Sequence, residues 1–525
     1  MEMEAILALS MFATAIIALL AGFNVAFTLG GTALIFAFIG MELGFFRFSQ
    51  LSGLFLRIEG IMNNTVLIAV PLFVLMGVIL ERSRVAEDLL HIASRLLANV
   101  RGGLGYAVIL VGALLAASTG IVGATVITMA LIALPSMLKR GYDVRLSTGT
   151  IAASGTLGQI IPPSIVLILL ADAISNASAR ASLAGAGSGA ISVQDLFSGA
   201  LIPGFILVGA YMGWIAFNSI VRPERAPKGA HDADPMAAPL TAREIAYGLG
   251  APLLLILAVL GSILTGLAPP TEAAAIGAGG AILLAGLRLS REEGHKLAPL
   301  LIIGLVSAVA MLVMTSFFDL RINRDVIPLG QSVLIGIATL FLVLFLASLV
   351  AGLIVLRETG QMLDTLRSGA HIASMVFVIL IGASLFSLVF TGFYGDELVE
   401  NILHNTPGGK WGALILTMLV MFALGFFLDF IEIIFIVVPL VTPPLILAGF
   451  DPIWLGILMA LNLQTSFLTP PFGFALFYLR GAAPAEVRTI DIWRGAIPYI
   501  FLQLGIILLV ACVPVLATWL PSLSN

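Results

Sequence analysis

Long apolar runs, separated by short polar or glycine-rich stretches, follow one another along the whole chain. Each run has about the 20 residues that an α-helix needs to cross the hydrocarbon core of a bilayer. The pattern therefore predicts an all-α polytopic membrane protein with about twelve crossings. The predicted crossings are residues 5–21, 23–40, 61–80, 147–172, 199–220, 245–267, 271–287, 299–318, 331–356, 371–393, 453–479 and 497–519.

Two further apolar segments have a polar or glycine-rich middle. Residues 104–138 contain Ser118-Thr119-Gly120, and residues 411–448 contain Asp429-Phe430-Ile431-Glu432. Such a segment suits a hairpin that enters the bilayer and returns on the same side. Because irregular backbone at membrane depth must be shielded by protein, the tips of these two re-entrant hairpins are expected to be buried.

The composition agrees with a membrane protein. Apolar residues make up 60% of the chain and charged residues only 10%, against roughly 25% charged in ordinary soluble domains. The net charge of −4 is small, so neither nucleic acid nor an anionic membrane surface is implied as a partner. The N-terminus lacks the positive region of a cleavable signal peptide, so residues 5–21 are expected to be a retained crossing.

The distribution of basic residues orients the crossings, because lysine and arginine accumulate in short cytoplasmic loops. With the N-terminus outside, 19 of the 25 basic residues lie inside. The outer six are Arg47, Arg57, Arg180, Arg321, Arg324 and Lys410. We therefore expect both termini outside.

The chain also repeats itself at an offset of 308 positions. Pro135, Gly141, Asp143, Pro162 and Pro163 recur as Pro443, Gly449, Asp451, Pro470 and Pro471. Seven predicted crossings separate equivalent points, and an odd number turns the second copy upside down. The sequence thus predicts inverted repeats, each with a re-entrant hairpin and a broken helix, as in many secondary transporters.

The repeats define the expected domains. Residues 1–60 and 481–525 supply terminal helices, and 173–370 form a connector with an extra hydrophobic pair at 299–356. Repeat 1 spans 61–172, with an amphipathic arm helix, the hairpin 104–138 and the broken helix 147–172. Repeat 2 spans 371–480, with the hairpin 411–448 and the broken helix 453–479.

The Pro-Pro pairs mark the expected functional site. The stretches before Pro162-Pro163 and Pro470-Pro471 are rich in small, hydroxyl and amide residues. Carbonyls freed at a break suit a dehydrated sodium ion, and helix N-termini suit an anionic substrate. The alternative is that glycine, serine and threonine there only let membrane helices pack closely.

Asp429 and Glu432 are the most informative single residues, because a carboxyl group at mid-bilayer is costly and usually functional. Their spacing places both on one helical face. Either side chain could coordinate sodium, bind a proton or orient the hairpin tip. A structural role inside the bundle is the competing interpretation for Glu432.

These motifs resemble the large membrane subunit (DctM-type) of tripartite ATP-independent periplasmic (TRAP) transporters. The resemblance rests on the runs Ser118 to Ser164 and Phe427 to Gly473 and on Pro270-Thr271-Glu272-Ala273-Ala274-Ala275, and covers nearly the whole chain. It is strongest toward the branch for mannitol, chloroaromatic and 2-oxo acid uptake. Two features depart from the family pattern: the extra pair at 299–356, and Glu432, where a small or apolar residue is common.

The resemblance implies a sodium-driven elevator in the bacterial inner membrane, with periplasmic termini. The implied partners are a small four-helix membrane subunit (DctQ-type), a periplasmic substrate-binding protein (DctP-type or similar), a small carboxylate substrate and membrane lipid. Sodium, as coupling ion, would be bound by Ser118, Thr119, Gly120, Gly155 and Thr156 at one site and by Asp429, Asn462, Gln464 and Thr465, with Glu432, at the other. Substrate would contact Ser118, Thr119, Gly155, Pro162, Pro163, Gln464, Thr469, Pro470 and Pro471.

Two other classes are compatible with parts of the pattern. A stand-alone sodium- or proton-coupled carboxylate carrier or antiporter would share the inverted repeats but need no binding protein. An intramembrane enzyme is suggested only by Ser136-x-x-Lys139, which has no companion motif. Phosphate-binding glycine loops and zinc-helix motifs are absent from the sequence, so we expect neither ATP-driven nor enzymatic function and no cofactor.

Overall fold

A computed structural model describes residues 2–120, 122–185, 189, 191–228, 240–321 and 328–523, apart from the side chains of residues 2 and 116–119. The helices of the first half are α1 (Glu2–Leu20), α2 (Val25–Glu42), α3 (Phe48–Leu51), α4 (Gly53–Met62), α5 (Thr65–Arg82), α6 (Val85–Leu96), α7 (Gly103–Thr119), α8 (Val122–Lys139), α9 (Val144–Thr156), α10 (Ile165–Leu183), α11 (Val193–Val221), α12 (Ala242–Ile245) and α13 (Ala251–Leu264).

The second half continues in the same way. Its helices are α14 (Pro270–Glu293), α15 (Ala298–Phe317), α16 (Leu329–Glu358), α17 (Gln361–Gly392), α18 (Gly395–His404), α19 (Gly409–Leu424), α20 (Phe430–Ile436), α21 (Val438–Leu447), α22 (Pro452–Leu468), α23 (Phe474–Ala482), α24 (Thr489–Cys512) and α25 (Val515–Thr518). Within the described ranges 12 helices are long and apolar enough to cross a membrane. The prediction of an all-α polytopic membrane protein is confirmed.

The 12 long helices do not coincide one for one with the 12 predicted crossings. The second limb of the first hairpin, α8, meets the same criteria of length and composition as a crossing. The predicted crossing 453–479 is instead divided between α22 and α23. Length and hydrophobicity therefore do not separate a hairpin limb from a crossing, and the assignment of 104–138 and 411–448 as re-entrant stays a prediction.

The sequence repeat reappears in the local structure. Asp143 and Asp451, 308 positions apart, each cap the helix that follows: their carboxylates accept hydrogen bonds from Leu146 N at 3.0 Å and Trp454 N at 2.8 Å. Gly141 and Gly449, just before them, have φ of 77° and 89°. A left-handed residue ends one helix and an aspartate starts the next, so α9 and α22 begin in the same way.

Each repeat also has a short arm helix. The arm predicted in repeat 1 is α6, and Arg84 before it has a left-handed φ of 57°. Its counterpart α18 follows Tyr394, with φ of 56°. Helix α18 was not predicted, because its many polar residues resemble a loop between two apolar segments.

The two hairpin segments differ in their second limbs. The first joins α7 to α8 near Gly120, whose φ is 61°. In the second, α20 and α21 are bent by 52°. Pro439, in the first turn of α21, has no N–H to continue the helical hydrogen bonding, which accounts for the bend.

Close backbone packing holds the first broken helix in place. Gly149 in α9 lies against Gly495 in α24, and a Cβ atom at Gly149 would collide with the carbonyl oxygen of Gly495. The absence of a side chain at both positions therefore sets the distance between these two helices.

Replacing Gly149 by leucine should destabilise the protein by about 1–3 kcal/mol, because backbone cannot move aside as a flexible side chain can. The measurement is the thermal unfolding of the purified, detergent-solubilised protein. Gly213→Leu in α11 is the matched control, since nothing lies within 4 Å of a Cβ atom there. Equal melting temperatures for the two variants would contradict the prediction.

Candidate functional site

The first break separates α9 from α10. Helix α9 ends at Thr156, a single 3₁₀ turn covers Leu157–Gln159, and α10 begins at Ile165. Ser164 joins the two ends: its hydroxyl donates to Gln159 O at 3.1 Å and accepts from Leu167 N at 3.5 Å. The prolines lack N–H donors, so the α-helix cannot run through Pro162-Pro163.

The second break has the same plan between α22 and α23. Helix α22 ends at Leu468, and the Thr469 hydroxyl donates back to Thr465 O at 2.7 Å. The chain then turns through Pro470-Pro471, and α23 begins at Phe474. Both Pro-Pro peptide bonds are cis.

Helices α9 and α22, which carry the two breaks, meet through one hydrogen bond. Gln464 Nε2 donates to Thr156 Oγ1 at 3.3 Å, and these residues are 308 positions apart. Both side chains are fully buried. A residue contacts its own repeat equivalent only close to the axis that relates the repeats, so the pair marks the centre of the two-fold arrangement.

Aromatic and amide side chains from α11 and α24 surround this centre. Gln503 Nε2 donates to Tyr211 Oη at 2.8 Å, and Thr150 Oγ1 and Tyr499 Oη share a hydrogen bond of 2.6 Å. The two tyrosine rings pack edge to face, with centroids 5.1 Å apart. The sequence analysis did not single out these residues; a polar atom in the middle of an apolar run was the available signal.

Several buried polar atoms near the breaks have no hydrogen-bond partner among the described residues. They include both amide atoms of Gln159 and the Oε1 atoms of Gln464 and Gln503. Leaving such an atom unbonded costs about 1–3 kcal/mol, so these groups are suited to a ligand, an ion or ordered water. Gln159 belongs to the polar stretch noted before Pro162-Pro163, but it was not among the predicted site residues.

The acidic tip of the second hairpin is also buried. Asp429 accepts a hydrogen bond from Phe430 N at 2.8 Å and so caps α20. Glu432 is 3% exposed, and its Oε2 atom has no hydrogen-bond partner in the part of the chain that the structure describes. Asp429 and Glu432 both lie near Tyr478 of α23, whose ring packs against Gly123 at the start of α8. Tyr478 thus connects the beginnings of α8 and α20.

The structure also shows what surrounds the residues predicted to bind the first sodium ion. A Cβ atom at Gly120 would lie 2.8 Å from Ile165 Cγ1, and one at Gly155 would collide with Val126. Both glycines therefore serve close packing, as the alternative interpretation expects. The side chains of Ser118 and Thr119 lie outside the described residues.

For the second sodium ion, the predicted residues already make some contacts. Asn462 Nδ2 donates to Met418 O at 2.8 Å, which ties α22 to α19. Thr465 Oγ1 donates to Leu461 O in its own helix at 2.8 Å. Asp429 caps α20, whereas Gln464 contacts Thr156 at the centre of the repeats. The assignment of these residues to sodium and substrate stays a prediction.

The sequence matches one known protein family over most of its length. The model of the tripartite ATP-independent periplasmic transporter family, DctM component, matches residues 12–318 and 326–516. The chain belongs to this DctM family. The TRAP resemblance seen in the sequence is thus confirmed, and the chain is a multi-span membrane permease.

Curated relatives span the whole chain. The C4-dicarboxylate TRAP transporter large permease protein DctM of Rhodobacter capsulatus is 26% identical, covering 98% of this chain and 99% of its own length. The ectoine TRAP transporter large permease protein TeaC of Halomonas elongata is 25% identical over the same shares. Since these names give different substrates, family membership does not fix what this TRAP permease carries.

A solved structure has a similar fold. The YdaH transporter of Alcanivorax borkumensis, described as having an unusual topology, matches with a TM-score of 0.51 at 17% identity. The match covers 89% of this chain and 87% of that one. At this identity the likeness shows the fold of the permease and nothing about its substrate.

Proposed function

We propose that this TRAP permease takes up a small organic acid, such as a 2-oxo acid, together with sodium ions across the bacterial inner membrane. The observation that carries the proposal is the Gln464–Thr156 hydrogen bond, which joins two broken helices at equivalent repeat positions. Sodium and substrate bind around this centre, where Gln159 and Gln464 offer buried unbonded amide atoms.

The chemistry of the breaks suits both ligands. An α-helix leaves its last carbonyls without the N–H donors of a following turn, and such oxygens are good sodium ligands. Some of them are already bonded here, since Thr156 Oγ1 donates to Ala153 O in α9 and Thr469 Oγ1 donates to Thr465 O in α22. Asp429 adds a carboxylate next to the second break. The helices that restart after each break have N-terminal N–H groups, which favour a carboxylate.

Coupling to sodium supplies the driving force. Moving one charge through the membrane potential is worth about 2.3 kcal/mol per 100 mV. Two or more sodium ions per monoanion therefore carry net positive charge inward and drive strong accumulation. In the proposed elevator mechanism, the hairpins and broken helices move together against the remaining helices.

The partners follow from the tripartite family. A small four-helix membrane subunit holds the static helices, and a periplasmic binding protein delivers the acid. The relative from Oleidesulfovibrio alaskensis, named an isethionate TRAP transporter permease protein DctMQ, is matched over 85% of this chain but only 57% of its own length. This difference leaves room for a second component in that protein and supports a separate small subunit here.

The decisive test is uptake into proteoliposomes that contain this chain and its small subunit. Labelled 2-oxo acids, lactate, aromatic acids and C4-dicarboxylates are supplied with and without the cognate binding protein and an inward sodium gradient. We expect uptake of one class only when both are present. Uptake without the binding protein, or driven by protons alone, would instead establish the stand-alone carrier.

A further inference from the structure

A polar cavity of about 490 Å³ lies between α4, α5, α10, α17, α20 and α21. Its position is at the helix ends that the charge distribution places outside. The polar residues that line it are Arg57, Asn64, Asp172, Asn176, Arg180, Ser384 and Ser387. We name this cavity the outer vestibule.

The two arginines of the outer vestibule have no acidic partner. Among the described residues neither Arg57 nor Arg180 forms an ion pair, whereas Arg288 lies 2.5 Å from Asp88. Arg57 Nη1 donates only to a neutral group, the Ser384 carbonyl, at 3.2 Å. Within the described part of the chain, neither guanidinium group therefore has an ion-pairing acid.

The single acid that lines the outer vestibule is held by amides instead. Asp172 Oδ1 accepts from Asn64 Nδ2 at 2.7 Å, and Oδ2 accepts from Asn176 Nδ2 at 3.5 Å. Asn64 is itself fixed, because its Oδ1 atom caps α5 at Val66 N, 2.9 Å away. The lining thus carries two positive charges and one negative charge whose oxygens are already bonded.

Electrostatics favours an added anion at this place. The pKa of Arg57 is lowered, first by burial and then by the positive charge of Arg180. An anion between the two guanidinium groups would remove that repulsion and replace part of the lost hydration. The planar, fork-shaped guanidinium matches a carboxylate well, and a concave site admits a small acid more readily than a lipid headgroup.

The elements of the outer vestibule lead to the site at the breaks. Helix α10 begins immediately after Pro162-Pro163 and carries both Asp172 and Arg180 farther along. The seven residue-to-residue steps of helix from Ile165 to Asp172 span about 10 Å. On the other side, α20 connects Glu432 at the acidic tip to Phe435 in the vestibule wall.

We propose that Arg57 and Arg180 bind the substrate carboxylate in the outer vestibule before the substrate reaches the helix breaks. This inference rests on the proposed function, because it supplies that function with an outer binding step. The site is distinct from the one around Thr156 and Gln464, and it needs no sodium.

Arginine modification tests the binding step without transport. The permease with its small subunit, in vesicles of neutral lipid and potassium buffer, is treated with phenylglyoxal, and labelled peptides are quantified by mass spectrometry. Pyruvate and succinate, as probes, should slow the labelling of Arg57 and Arg180 about tenfold. Arg321 is the internal control, since its side chain is 81% exposed and lies outside the vestibule.

Each other result of this experiment would overturn the inference. Equal slowing at Arg321 would indicate an ionic-strength effect, and slowing that requires anionic lipid would indicate a lipid site. Slowing by the substrate-free binding protein alone, without either acid, would indicate a protein-docking surface. Unchanged labelling with both probes would show that no anion binds there.

Uptake then measures the consequence for transport. Arg180→Gln and Arg57→Gln should raise the concentration of loaded binding protein needed for half-maximal uptake about tenfold, with Arg57→Lys less affected and Arg321→Gln unchanged. Arg180 is exposed, so its variant remains informative even if Arg57→Gln fails to fold. An unchanged half-saturating concentration of loaded binding protein in Arg180→Gln would overturn the role of the outer vestibule in transport. Protection of both arginines without any sodium-driven uptake by the unmodified protein would instead refute the proposed function alone.

Discussion

Replacing Gln464 by leucine is expected to lower sodium-driven uptake by tenfold or more. The substitution removes the hydrogen bond to Thr156. It also removes the buried amide oxygen, Oε1, which accepts no hydrogen bond from the described residues. A hydrogen bond to a charged ligand is worth about 1.5–3 kcal/mol, and about 1.4 kcal/mol corresponds to tenfold in affinity. The measurement is initial uptake rate against sodium and substrate concentration in proteoliposomes.

Gln194→Leu is the matched control for this prediction. Gln194 is a partly buried amide that donates to Leu264 O at 3.1 Å, on an element outside both repeats. A similar loss of uptake in the two variants would show that removing any such amide disturbs the fold, and that Gln464 has no special role.

The repeat relation allows a sharper test. In the exchange variant Thr156→Gln with Gln464→Thr, the donor and acceptor swap sides of the same contact. If the pair lies on the axis between the repeats, the exchange should recover part of the uptake that each single substitution loses. An exchange variant no better than the worse single variant would contradict a two-fold centre at this contact.

Replacing Asp429 by asparagine is expected to reduce sodium-dependent uptake tenfold or more while the melting temperature stays nearly unchanged. Asparagine caps helices about as well as aspartate, so the contact with Phe430 N survives and only the charge is lost. Loss of a carboxylate ligand to sodium is worth about 1.5–3 kcal/mol, judged from hydrogen bonds to charged groups. The measurement is the initial uptake rate of the Asp429→Asn variant at several sodium concentrations.

Asp451→Asn provides the control for the charge. Asp451 caps α22 by accepting a hydrogen bond from Trp454 N at 2.8 Å, just as Asp429 caps α20. Unlike Asp429, Asp451 is exposed. The uptake by the Asp451→Asn variant should keep its normal dependence on sodium concentration. If Asp429→Asn behaves like Asp451→Asn, the Asp429 carboxylate serves only as a helix cap. Glu432→Gln, measured alongside, reports whether the second acid contributes to the same ion site.

Much of the candidate site could be predicted from the sequence because its signals are local. Pro162-Pro163 and Pro470-Pro471 fix where the helices break, since proline removes the N–H on which the helix depends. Asp143 and Asp451 likewise fix where α9 and α22 begin. The residues that surround the breaks, Tyr211 among them, could not be placed there from the sequence. A polar atom within an apolar run marks Tyr211 as unusual, but it does not show that α11 packs against the breaks.

Some predicted residues turned out to have a second explanation that only packing reveals. The resemblance to TRAP permeases implied that Gly120 and Gly155 bind sodium. In the structure they lie against Ile165 and Val126 with no room for a Cβ atom. A glycine has the same sequence signature in both roles, so the sequence could not separate them.

The sequence by itself determined that the protein lies in a membrane and is all-α, that it contains a repeat, and where two of its helices break. These depend on hydrophobicity over about 20 consecutive residues and on local backbone chemistry, which short stretches of chain express on their own. Only the tertiary structure decided that Thr156 meets Gln464, and that Arg57 and Arg180 share one cavity with Asp172, which forms an ion pair with neither of them among the described residues. Such contacts join residues more than 100 positions apart, and the packing of whole helices against one another sets them.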